Sequence, residues 1–181
     1  MPVNVNLEEY CQKAIAAGVT HAVIIESRRI ATAPWVRWKC QFGCANYGKS
    51  YCCPPHTPTP EQTRQTLDVY DRAILFHLQW TKGVQSGRDI KSYFDTVVAM
   101  ERELFLDGFY RAYAMLAGPC ILCKDCALLK NNPCDFPMKA RPSMEACGIH
   151  VYQTVHSYGL PLHTLRTTEE TRNIYCLLLV D

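Results

Sequence analysis

The chemistry of this sequence lies in its cysteines, 11 of them in 181 residues. Cys120, Cys123 and Cys126 recur at every third position, and Cys134 follows eight residues later. Three thiols at that pitch on a short loop can turn inward around one compact, multi-iron object. A fourth, just past the Asn131-Asn132-Pro133 turn, can close the cage. C-x2-C-x2-C spacing is how ferredoxin-type loops hold a [4Fe–4S] cluster, although here Cys134 leads into Asp135-Phe136-Pro137 rather than the ferredoxin Cys-Pro. Zinc is the competitor. Structural zinc takes its ligands as two knuckle pairs around one tetrahedral ion, and cysteines at i, i+3 and i+6 suit a larger cluster better.

A second group consists of Cys40, Cys44, Cys52 and Cys53. Side chains of adjacent residues diverge, so Cys52 and Cys53 are not expected to share one ion. The prolines after Cys53 set its direction, which favours Cys40, Cys44 and Cys53 as ligands. Cys52, Cys147 and His56 are the candidates for a fourth. A set of three thiolates would leave one iron open to substrate or a small ligand. Cys11 and Cys176 fall on apolar stretches and read as small core residues. The remaining histidines show no ligand spacing, and the sequence contains no P-loop, no G-x-G-x-x-G and no carboxylate constellation.

The elements that must position these thiols follow from periodicity. A helix is expected over 6–18, capped by Asn6 with Glu9 at the reciprocal position, and a strand over 21–30. The stretch from 35 to 60 has little periodicity but many aromatics, so a metal site is expected to order it, with Trp35, Trp38 and Phe42 shielding a cluster. Thr59-Pro60-Glu61-Gln62 spells a capping box and opens a short helix. Strands are expected over 72–80, 109–116 and 173–180, a turn over 83–87, a long helix ending at Gly108, and another helix from Ser143 to about Tyr158. Strands separated by helices give an α/β domain (α+β being the variant), with one mixed sheet of about four strands and cysteine-rich loops at its edge. A single domain over 1–181 is expected, since this length buries a real core.

The formal charge of +2 argues against nucleic acid and anionic membranes as partners, and thiolate ligation would lower it further. The N-terminus lacks a basic start and an apolar core, and no apolar run approaches the length of a membrane span. The expected compartment is the cytoplasm, where clustered cysteines are metal or redox sites before they are disulfides.

Together the two segments resemble a family known as domain of unknown function 2284, described as predicted metal-binding proteins. The resemblance is carried by Cys40-x3-Cys44 with Asn46-Tyr47-Gly48, by Cys53-Pro54-Pro55, and by Gly118-Pro119-Cys120-x2-Cys123-x2-Cys126 with Cys134. It continues through Ala140-Arg141-Pro142-Ser143-Met144-Glu145-Ala146 to Gly148-Ile149, and covers the chain from about residue 5 onward. The resemblance implies cluster binding through Cys40, Cys44, Cys53, Cys120, Cys123, Cys126 and Cys134, and it supplies no reaction. In that family's pattern positions 52 and 147 need not be Cys, and position 150 is often acidic where this chain has His150.

The leading expectation is an iron–sulfur protein with two [4Fe–4S]-type clusters that passes electrons to a redox partner protein or a small molecule. One alternative is an enzyme using an open iron for Lewis-acid or sulfur-transfer chemistry, with a pocket beside Tyr47 and Lys49. The other is a zinc-stapled interaction module. Whether the protein is an enzyme, and its oligomeric state, are left open by the sequence.

Overall fold

β2 (Arg72–Trp80) and β4 (Arg172–Leu179) are apolar at successive positions because the sheet they form is covered on both faces. The computed structural model describes residues 6–81 and 90–181. The turn expected over 83–87 and the first five residues lie outside them. Four strands pair in the order β1-β2-β4-β3, with β1 at His21–Glu26 and β3 at Tyr113–Met115. All three ladders are antiparallel. The class and the four-strand sheet are as expected, but the sheet is not mixed. Among the described residues, parallel pairing is confined to the bridge between Leu116 and Ser143.

The pleat sends alternate side chains to two cores. Ile74, Phe76, Leu78, Cys176 and Leu178 pack with α1 (Leu7–Ala16) and α4 (Ile90–Leu106). Ala73, Leu75, Leu177 and Leu179 pack with Leu67, Met144, Cys147, Ile149 and Val155. Each fully buried Leu or Ile here is worth about 1.5–3 kcal/mol relative to exposure. Cys11 and Cys176 lie in the first core, as small core residues would.

Local chemistry explains the boundaries. The Asn6 side chain accepts from the Glu8 N–H at the start of α1. In α3 (Pro60–Leu67) both halves of the capping box form, with Thr59 Oγ1 accepting from the Gln62 N–H and Gln62 Oε1 from the Thr59 N–H. β1 stops at Glu26 rather than Ile30 because Ser27–Arg29 turns as a 3₁₀ helix, its buried Ser27 hydroxyl donating to the Leu67 carbonyl. β3 is short because 109–112 forms a turn closed by Ala112 N–H on Phe109 O.

Two larger differences lie near the cysteines. Pro34–Gly43 is a helix, α2, where little periodicity was seen. Only Val36 of α2 is buried, so there is almost no apolar stripe for periodicity to report. Conversely, the helix expected over 143–158 is broken. A single 3₁₀ turn (Glu145–Cys147) ends at Gly148, and α5 (Val151–His156) begins after His150. The intervening backbone pairs instead with 31–33, through Ala33 N–H on Gly148 O and His150 N–H on Ala31 O. Gly148 is held at φ +78°, and a Cβ there would stand 2.5 Å from Pro60 Cγ. Only glycine fits.

Candidate metal centre

The first cysteine group hangs from α2. C-x3-C is one helical turn: Cys40 lies in the last turn and Cys44 is the C-cap, its N–H reaching Cys40 O at 3.3 Å. The chain then winds through tight turns, with Tyr47 N–H on Cys44 O, Gly48 N–H on Pro54 O and Cys53 N–H on Ser50 O. These turns return Cys53 to the neighbourhood of Cys40 and Cys44. Burial raises the Cys40 thiol, and so does the nearby Cys44. Burial likewise raises Cys53, with Cys44, Cys40 and Cys120 adding repulsion.

The second group is carried by the loop leaving β3. Glu101 of α4 grips both ends of that loop. Its Oε2 accepts from the Ala114 N–H at 2.8 Å, and its two oxygens take Arg141 Nε and Nη2 at 2.7 and 2.5 Å. The Arg141–Glu101 side chains are only 13 and 12 % exposed, a bidentate pair in a sheltered setting. Inside the loop, the 3₁₀ turn Ala127–Lys130 ends at Asn131 in the left-handed region (φ 54°), which asparagine tolerates. That reversal brings Cys134 back toward the other thiols. Tyr51 Oη donates to Asn132 O at 2.9 Å and ties the two cysteine segments together.

Cys52 and Cys53 diverge as adjacent residues must. Cys53 joins Cys40 and Cys44, whereas the Cys52 thiol donates to Cys120. That hydrogen bond pulls Cys120 down to about 6 and, together with burial, drives Cys52 far up. Cys123 is raised by desolvation and by Asp135, Cys120, Cys134 and Cys126 around it. Packed thiols that raise one another's pKa are relieved by a cation that takes them all as thiolates.

Six cysteines (52, 53, 120, 123, 126 and 134) line one cavity of about 150 Å³. Lys49, Lys124 and Asp125 share the wall, while Tyr47 does not. That volume is benzene-sized, too roomy for one ion and too small for a nucleotide-sized ligand. Among the described residues, no three His, Cys, Asp or Glu side chains form a group that could hold a single metal ion as they stand.

The other candidates sit elsewhere. Cys147 is 1 % exposed within the second core, its thiol pushed up to about 12 by burial. His56 is exposed, its ring edge-on to Tyr51. Trp38 and Phe42, expected as shields, are 63 and 80 % exposed on α2. Sequence reasoning missed that Cys52 faces the loop leaving β3, which depends on a long-range contact with no local signal. It also missed α2, although Pro34 at the first helical turn and the one-turn Cys40–Cys44 spacing were both available.

Among the described residues, no helix is long and apolar enough to cross a membrane. No curated protein and no solved structure matches the chain. A family model does, that of the predicted metal-binding proteins DUF2284, over residues 23–180. The chain belongs to that family.

Proposed function

We propose that this protein is an iron–sulfur protein that relays electrons through two neighbouring clusters. The observation that carries this reading is the small cavity walled by six cysteines. Cys120, Cys123, Cys126 and Cys134 would hold one [4Fe–4S] cluster, and Cys40, Cys44 and Cys53 the other. When bound, such clusters supply one-electron redox chemistry at potentials set by hydrogen bonds to sulfur, net charge and exposure. The chain's own part is electrostatic and geometric. Lys49 and Lys124 stand where a cluster of net charge about −2 would be balanced. The Cys52 thiol donates to Cys120 sulfur, and Cys53, in the first group, lies close enough to Cys120 for the two to repel. The second contact supports a short path between groups. Cys147 and His56 are packing and surface residues in this reading, and the proposed partner is another redox protein.

A second reading is favoured by the divergence of Cys52. With that thiol turned to the other group, Cys40, Cys44 and Cys53 are three ligands, leaving a corner for a non-protein group. This is the enzyme alternative. A zinc-stapled module fits less well, because tetrahedral Zn–S bonds of 2.3 Å need sulfurs about 3.8 Å apart rather than thiols spread around a cavity.

Anaerobic redox titration followed by paramagnetic resonance tests the relay. Two reversible one-electron reductions per chain are expected, with the two signals broadened by mutual spin coupling. A protein that accepts no electrons reversibly would contradict it.

A further inference from the structure

Charge is unevenly placed along this chain. Seven of the 19 basic residues, but two of the 17 acidic ones (Asp125 and Asp135), lie in 31–60 and 117–141, the stretches that carry both cysteine groups. The lysines divide more sharply still. Lys39, Lys49, Lys124, Lys130 and Lys139 of those stretches are all exposed, and among the described residues none of them is in an ion pair. The other two described lysines, Lys13 and Lys91, are paired with Glu103 and Asp95. Lys49 and Lys124 border the six-cysteine cavity, where a cluster's charge would face them. Lys39, Lys130 and Lys139 do not border it and have nothing in this chain to balance them.

The same stretches expose apolar surface. Phe42 and Met138 are the most exposed large apolar side chains among the described residues, and Trp38 is largely exposed as well. Trp38 and Phe42 lie one turn apart on α2, and the exposed Cys44 follows Phe42 by two residues. The two stretches are held together by Tyr51 Oη on Asn132 O and by the wall they share around the cavity. Apolar side chains set among unbalanced like charges suit a protein interface. The apolar groups supply area to desolvate, and the charges steer the approach and select a partner of opposite sign.

We propose that the cysteine end of the molecule is the docking surface for a small acidic one-electron carrier protein. Its carboxylates would pair with Lys39, Lys130 and Lys139, and its apolar surface would cover Trp38, Phe42 and Met138. The proposal rests on the relay reading, which requires a partner to come close to the thiols, and a carrier seated on Phe42 stands beside the first cysteine group. The carrier loses one electron and the relay gains it, with no bond made or broken. Asp125 and Asp135 interrupt the lysines, so a continuous polyanion such as nucleic acid or an anionic bilayer meets repulsion that a folded partner avoids by placing its own charges.

Plant-type ferredoxin, an acidic [2Fe–2S] carrier, is the probe. It is titrated calorimetrically into anaerobically purified protein, with iron content and reducibility by dithionite measured on the same samples. Saturable binding at low ionic strength is expected, weakened about tenfold or more at physiological salt. The combined variant Lys39→Gln, Lys130→Gln, Lys139→Gln should keep its iron and bind about tenfold more weakly or worse, and Phe42→Ser should weaken binding at either salt concentration. Cytochrome c, a basic carrier, should not bind. Protein that dithionite reduces reversibly but that does not bind ferredoxin overturns this proposal and leaves the relay standing. Binding unchanged in the lysine variant, or equal binding of a DNA duplex or of phosphatidylglycerol vesicles, overturns it as well. Lysine-dependent ferredoxin binding by protein that dithionite cannot reduce supports the docking surface while the relay reading falls.

Discussion

Single side chains decide most of what can be tested first. Cys52 and Cys53 are neighbours in sequence and both border the six-cysteine cavity, yet of the two it is Cys53 that also stands beside Cys40 and Cys44. Cys53→Ala should therefore remove about half the iron, roughly four of eight atoms, whereas Cys52→Ala should retain it and shift the potential of the Cys120 group. Iron assay and redox titration of both variants check this, and equal iron loss from both would contradict it. Cys176→Ala, in a wholly buried core position, should keep all its iron and lose only about 1 kcal/mol of stability, read by chemical denaturation. His77 carries a pH prediction. Burial lowers its pKa, although the Asn173 contact opposes this. The neutral form is thus favoured in the folded state, so the unfolded state binds more protons once pH drops below about 6.5. The contribution of His77 is fully present above that value and lost as pH falls through it. His77→Gln should flatten the stability–pH curve between pH 7 and 5.

At the scale of elements, the two cysteine groups hang from different supports. One depends on α2 and the turns that follow it. The other depends on the Glu101–Arg141 clamp, which fixes where its loop leaves β3 and where it returns. Arg141→Met leaves Glu101 without its countercharge in a sheltered place and should cost about 3 kcal/mol. It should also lower iron in the Cys120 group before that of the Cys40 group, measured by iron content after mild denaturant. Gly148→Ala forces a Cβ against Pro60 and strains a left-handed backbone. A loss of about 2–4 kcal/mol is expected, visible as a lowered denaturation midpoint. Elements with a strong apolar stripe or a spelled cap were legible in the sequence: α1, α3, β2 and β4 fall within a residue or two of their expected bounds. α2 was not, because only its Val36 is buried while Trp38 and Phe42 point largely to solvent. The break at Gly148 was not either, since it is imposed by backbone pairing with residues more than a hundred positions away.

On the scale of the whole molecule, a twice-covered antiparallel sheet serves as a rigid back, and the cysteine segments gather beyond the end of β3. The spacing of the seven cysteines expected as ligands is a local signal, visible in the sequence as two sets. Their meeting through Cys53 and Cys120, and the cavity between them, required the fold. The central claim is that these thiols hold iron–sulfur clusters, and strictly anaerobic purification followed by iron, acid-labile sulfide and zinc analysis tests it most directly. About eight irons and eight sulfides per chain, in a brown protein, is the predicted result. Stoichiometric zinc without sulfide, in a colourless and air-stable protein, would contradict it.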